Sequence, residues 1–299
     1  MPFFSRSKLS AVTAITATAM TAVAMAVSVT ACGGSSGGTT SASGPVQSFA
    51  PSTAMAKIQK RGKLIVGVKF DQPLFGLKNP VSGKLEGFDI EIARMLAKDL
   101  TGNPDNIEFV ESVTKNREAF IQQGKVDVII ATYAVTDERK AVVGFAGPYF
   151  DTGVSMMVRK DDTSITKGAD LAGKTVCTTT GARAIDILED KVPEAKLTEF
   201  ATYSECAQAL KEKRVQAVVT GETILLGVVA QNQEQFRLVP GYIDVEADAI
   251  GFPKSDTALH DYLDGFLKRI AGNGEWKTAY DATVGTQKKG DATPPKITL

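Results

Sequence analysis

One histidine and three cysteines are all that the chain offers of the side chains most used for metal ligation and covalent catalysis. The histidine, His260, lies in an amphipathic segment, residues 257–270, and reads as a surface residue rather than a general base. No serine-nucleophile elbow occurs, no cysteine stands close in sequence to a base, and no Cys/His spacing suits a metal, so neither a metal nor a cofactor is implied. Surplus charge is also missing: 34 Lys and Arg face 34 Asp and Glu, which excludes the basic footprint of a nucleic-acid-binding protein. Past the N-terminus, no apolar run approaches the roughly 20 residues that cross a bilayer.

The N-terminus holds the one long apolar stretch. Residues 1–31 carry Arg6 and Lys8, then an acid-free run rich in Ala, Val, Thr and Met, the pattern of a secretory signal. Residues 29–32 (VTAC) resemble a lipobox, in which Cys32 is lipidated and becomes the new N-terminus; a plain signal peptide or a membrane-spanning anchor is the alternative. Residues 33–44 (GGSSGGTTSASG) are flexible in composition, and residues 32–55 are read as a tether holding a soluble body at the membrane. Loss of residues 1–31 changes the balance from 34 against 34 to 32 basic against 34 acidic.

Beyond the tether, strand and helix patterns alternate, as in α/β proteins with open sheets. Residues 64–68 read as a buried strand, and Phe88, Ile92, Met95 or Leu96, and Leu100 trace one helical face. Further strands are expected over 107–110, 126–131 and 155–158. The polar stretch 159–168 (RKDDTSITKG) marks a change of lobe, followed by strand 175–178, helices 182–190 and 203–211, strand 217–219 and helix 222–229. Two helices, 256–271 and 275–282, end the chain. Residues 168–175 (GADLAGKT) satisfy the P-loop pattern, but a polar linker precedes the glycines and a strand follows the lysine, the reverse of what phosphate binding requires.

The most informative junction is residues 124–140 (GKVDVIIATYAVTDERK), where a strand runs into a helix. Thr136 is a natural N-cap and Asp137 and Glu138 suit the positive helix end, so Arg139 stands in a first turn that disfavours a cation unless an anion joins it. Upstream, Thr114 is expected to cap a helix stopped at Gly124, with Arg117 in its first turn. The alternative is that both arginines pair with carboxylates on a solvated face. With Cys32 lipidated, Cys177 and Cys206 form an even pair in an exported protein, so a disulfide is expected, two unpaired buried thiols being the alternative.

Residues 124–140 closely resemble the matching stretch of family 3 extracellular solute-binding proteins, the amino-acid receptors of ABC importers. Residues 62–68 (GKLIVGV), 87–93 (GFDIEIA), 147–150 (GPYF) and 273–276 (NGEW) resemble further landmarks in the expected order, over roughly residues 58–285. Within the family the chain looks most like glutamate-binding lipoproteins of high-GC Gram-positive bacteria, which resemble it in carrying a cysteine pair. The resemblance implies a two-lobed periplasmic-binding-protein type II fold, α/β with a central cleft and a two-strand hinge. Lobe 1 would comprise residues 56–155 and 250–299, and lobe 2 residues 156–249, with 250–254 (IGFPK) as the return strand.

Carried over position by position, the resemblance gives Arg139 the ligand's α-carboxylate, Ala134 a backbone N–H to the same group, and Thr132 a carbonyl for the ammonium. Thr179 and Ala182, in residues 178–182 (TTTGA), match contact positions of the second lobe, against the alternative of a simple capping turn. Lys69 and Arg117 match cations that bind a side-chain carboxylate in acidic-ligand relatives, which favours glutamate or aspartate. Phe70 or Phe75 is a candidate cover for the ligand's methylenes, core packing being the alternative. One position departs: relatives commonly place an aspartate for the ammonium where this chain has Gly221, and Glu222, one residue later, is the candidate replacement. The implied partners are an amino acid and the permease and ATPase subunits of an importer, with the protein a monomer on the outer face of the cytoplasmic membrane. A ligand sensor for a membrane signalling partner and a dehydratase on the same fold are the rival readings.

Overall fold

A computed structural model describes residues 47–288, 290 and 292–299; the expected signal segment, Cys32 and the tether as far as residue 46 lie outside the described residues. Helix α1 (Ala54–Arg61) begins inside the stretch 32–55 read as tether, which corrects that boundary. Thr53 caps it by accepting from the Ala56 amide at 3.2 Å, Met55 and Ile58 are buried, and Phe49 packs edge-on against Tyr262 with ring centroids 5.2 Å apart. Apolar side chains that find a core leave solvent, so Phe49, Ala54 and Met55 belong to the folded body.

The first half of the chain gives β1 (Leu64–Val68), β2 (Asp71–Gln72), β3 (Gly76–Lys78), β4 (Leu85–Glu86), α2 (Phe88–Thr101), β5 (Ile107–Glu111), α3 (Arg117–Gln122), β6 (Val128–Ile129) and α4 (Asp137–Val142). The second half gives β7 (Gly144–Arg159), β8 (Thr175–Thr179), α5 (Arg183–Lys191), β9 (Lys196–Phe200), α6 (Tyr203–Lys211), β10 (Ala217–Gly221), α7 (Glu222–Gln231), β11 (Phe236–Phe252), α8 (Thr257–Gly272) and α9 (Glu275–Ala282). Strands run in the order β5-β1-β6-β11-β7-β10-β8-β9, with β2, β3 and β4 in a small antiparallel sheet of their own.

Two long antiparallel strands make the molecule two-lobed. In the first lobe Gly144, Phe145 and Ala146 of β7 face Phe252, Gly251 and Ile250 of β11; in the second, Met156 to Arg159 face Val239 to Phe236. Between them Asp151, Thr152 and Gly153 pair with Ala247, Glu246 and Val245, so the crossing is a continuous two-stranded ribbon. Gly153 is demanded sterically: a Cβ there would lie 2.3 Å from Cγ of Tyr242, whose ring covers the ribbon.

Each lobe has its own core. Phe75, Phe88, Phe150, Trp276 and Tyr280 interlock in the first, and Trp276 donates its indole N–H to the Tyr149 carbonyl at 2.8 Å. The second lobe buries apolar side chains on both sheet faces, and the Cys177–Cys206 disulfide fastens β8 to α6. Of the strand expected over 126–131, Val128–Ile129 pairs as a strand; Thr132, at φ 42°, interrupts it before Ala134 pairs once more with Asp248 of β11.

Candidate functional site

The turn after β6 is held from below by buried polar groups. Asp89 accepts the Thr132 amide at 2.9 Å and the Tyr149 hydroxyl at 2.8 Å, and the Thr132 hydroxyl donates to Gln72 Oε1 at 2.9 Å. Burial raises the Asp89 carboxyl to about 6 against the opposing pull of those two hydrogen bonds. These contacts offset the strain of a β-branched residue at positive φ and hold a turn whose residues Thr132 and Ala134 line the space between the lobes.

Arginines stand on this turn. Arg117 donates through Nη1 to the Ala131 and Thr132 carbonyls, both at 3.3 Å, and through Nε to Thr114 at 3.1 Å. Arg139 donates to the Ala134 carbonyl at 2.6 Å and, across the cleft, to the Gly181 carbonyl at 2.8 Å. Thr136 caps α4 as expected, accepting the Arg139 amide at 3.2 Å. Both guanidiniums lie over the Tyr133 ring, 4.2 and 5.3 Å from its centroid, an arrangement that holds two cations on one aromatic face. The Tyr133 hydroxyl donates to Glu118 at 2.6 Å, and Glu118 stands 3.5 Å from Arg139 Nε.

The expected capping role of Thr114 is corrected. Its residues 114–116 form a 3-10 turn, α3 starts at Arg117, and the Thr114 hydroxyl instead accepts from Lys69 Nζ at 2.7 Å and from the Thr179 hydroxyl at 3.1 Å. Tertiary partners outcompete the local helix end for that oxygen. Lys69 is buried, and burial followed by repulsion from Arg117 brings its ammonium down to about 7. Among the described residues neither Lys69 nor Arg117 has an ion-pair partner.

The opposite wall comes from the second lobe. Ala182 precedes α5, whose first-turn residues Arg183 and Ala184 line the cleft with it, so the positive helix end faces the guanidinium of Arg139. Tyr203 accepts from the Thr220 hydroxyl at 2.6 Å on the same side. Besides the Arg139–Gly181 and Thr114–Thr179 contacts, the lobes touch where Asp71 accepts the Tyr203 amide at 2.9 Å. A Cβ on Gly227 would lie 2.1 Å from the Pro73 carbonyl oxygen, so glycine is what lets α7 approach. The geometry is a narrow cationic cleft between two lobes on a two-strand hinge, suited to enclosing a small anionic molecule.

Residues 64–286 match bacterial extracellular solute-binding proteins, family 3. The chain belongs to that family. It is 36% identical to the glutamine-binding protein GlnH of Bacillus subtilis over 228 residues, covering 76% of this chain and 82% of that protein. It is 32% identical to the glutamate-binding protein GluB of Corynebacterium efficiens over 283 residues, 91% of each chain. A solved structure of the L-cysteine receptor of Neisseria gonorrhoeae superposes with a TM-score of 0.74 at 33% identity, covering 78% of this chain and 94% of that one. The two lobes and hinge are thus those of a type II periplasmic-binding-protein fold.

In this solute-binding protein Lys69, Arg117, Thr132, Ala134, Arg139 and Ala182 come together on one cleft, and Thr179 lines an adjoining recess that shares Lys69. The Ala134 amide donates to the Thr132 carbonyl at 3.2 Å. Phe75 is fully buried among core aromatics, whereas Phe70 lines the recess. Glu222 is corrected: as the first residue of α7 its carboxylate is carried away from the cleft, accepting from Lys288 at 2.5 Å and from the Tyr242 hydroxyl at 2.9 Å. His260 rests against the Leu299 carbonyl at 3.0 Å and does not line the cleft.

The acid that does line the cleft is Glu246, which the reading of the sequence missed along with Gln72, Arg183, Tyr203 and Thr220. A signal existed: Asp244, Glu246 and Asp248 repeat with the period of two that puts alternate residues on one face of a strand. Asp244 pairs with Arg183 at 3.3 Å, while Asp248 is wholly buried with neither oxygen hydrogen-bonded among the described residues, and its carboxyl is pushed well up by burial and then by Glu246 and Asp89.

Proposed function

We propose that this protein is a lipid-anchored receptor that encloses an acidic amino acid, glutamate or aspartate, between its lobes and delivers it to an ABC permease with its ATPase. The observation that carries the acidic preference is the pair Lys69 and Arg117, buried beside the cleft with no ion-pair partner among the described residues. A buried cation without an anion costs several kcal/mol, so a second carboxylate on the ligand is the partner that offsets it. Arg139 and the start of α5 would take the α-carboxylate, the task to which a guanidinium fork and free amides are suited. Family membership, the GluB likeness over 91% of the chain and the lipobox-like residues 29–32 support the rest. Among the described residues no helix is long and apolar enough to cross a membrane.

A second reading has its own observation. With its ammonium brought down to about 7, Lys69 is partly neutral at physiological pH, which suits an amide, and GlnH is named for glutamine. Calorimetric titration of the purified protein with L-glutamate, L-aspartate, L-glutamine and L-asparagine separates the two: an acid bound more tightly than its amide supports the proposal, and an amide bound more tightly overturns it.

A further inference from the structure

A cleft lined by Lys69, Arg117, Arg139 and Arg183 is well furnished for carboxylates and poorly furnished for an ammonium, which every α-amino acid brings with it. Glu246 is the one carboxylate among the described lining residues. Its side chain is 7% exposed, and among the described residues it accepts no hydrogen bond; the nearest cation is Arg183 Nη1, 3.9 Å away and itself engaged with Val245 and Asp244. Burial pushes the Glu246 carboxyl up even against the pull of Arg183, Arg139 and Arg117. A carboxylate held dry and loosely partnered is stabilised by a cation that arrives with hydrogen-bond donors.

The neighbour of that carboxylate is Gly221. At φ −51° the backbone there suits any residue, so glycine is not required by conformation. Its open side faces the acid: a Cβ on Gly221 would stand 3.0 Å from Glu246 Oε1, the far end of that side chain, and meet nothing else closer than 3.8 Å. The end of β10 has given up its side chain, and the hinge strand β11 fills the same volume with a carboxylate.

We infer that Glu246, reaching from the hinge into the gap left by Gly221, is the residue that binds the ligand's ammonium. Because Glu246 pairs with Thr152 in the ribbon that joins the lobes, ammonium binding acts directly on the segment that must bend when they open. The inference rests on the reading of the ligand as an α-amino acid.

The test compares L-glutamate with glutarate, which has both carboxylates and no amino group, on the purified wild-type protein, Glu246→Gln, and Glu246→Ala combined with Gly221→Asp. The expected result is that Glu246→Gln weakens L-glutamate binding by at least about 100-fold while glutarate binds as well as or better than to wild type. The double variant is expected to regain most of the L-glutamate affinity, since an aspartate at position 221 returns a carboxylate to the same space. L-Glutamate bound by Glu246→Gln as by wild type, or equal loss of both ligands, overturns the inference and leaves the receptor reading standing. A wild-type protein that binds glutarate but no amino acid overturns the reading of the ligand, and the role of Glu246 with it.

Discussion

The two walls of the cleft are built differently. The first lobe presents Lys69, Arg117 and Arg139, each pinned by hydrogen bonds to Thr114 or to the carbonyls of residues 131–134, over a buried base of Asp89, Gln72 and Tyr149. The second lobe presents alanines, a helix start, hydroxyls and a single guanidinium, Arg183, already engaged with Val245 and Asp244, and is fastened by one disulfide. On the proposed reading the difference divides the work: a preorganised charged wall would select and hold the ligand, and a lighter wall would close over it. Contacts from both walls bias the hinge toward the closed arrangement.

Removing the strongest element of the charged wall has the largest expected effect. Arg139→Ala is expected to cost about 4 kcal/mol of amino-acid affinity by calorimetry, because it leaves the α-carboxylate without its guanidinium. On the other wall, Cys177→Ser with Cys206→Ser opens a loop spanning 29 residues of separation. Denaturant unfolding should then show a loss of about 3 to 4 kcal/mol, with the second lobe melting first.

Much of the fold was legible where the signal is local. The limits of β1, α6 and α9 agree with the expected 64–68, 203–211 and 275–282, and Thr202 with Glu205 supplies a capping box at the start of α6. The cationic wall was legible because Arg139 stands in the first turn after a strand, where chemistry and local structure coincide. The unread parts depend on contacts remote in sequence. Thr114 looked like a cap until Lys69 and Thr179 claimed its hydroxyl, and Glu222 looked like the missing acid until α7 turned it toward Lys288. Glu246 reaches the site only because β11 passes through the hinge, and the gap at Gly221 has meaning only beside it.

Titration sharpens the account of the charged wall. Lys69 titrates at about 7 when no anion neutralises it, and a bound carboxylate raises that value, so between the two values binding takes up a proton. Affinity for L-glutamate is therefore expected to be full below pH 7 and to fall as pH rises, by about tenfold from pH 6 to pH 8, with calorimetric proton uptake that vanishes in Lys69→Met. The smallest effect belongs to the contact between Lys288 and Glu222, which joins the lobes behind the cleft and is partly exposed to solvent. Lys288→Ala should weaken ligand binding by less than about 1 kcal/mol, through a shift toward the open arrangement visible in small-angle scattering.

The central claim is that the charged wall selects a second carboxylate, and its most direct test is the ratio of L-glutamate to L-glutamine affinity in wild type and in Arg117→Gln. The ratio is expected to lie well above one in wild type and to collapse toward one in the variant as the acid alone loses affinity. A wild-type preference for glutamine, or a preference for glutamate that survives the substitution, would contradict it.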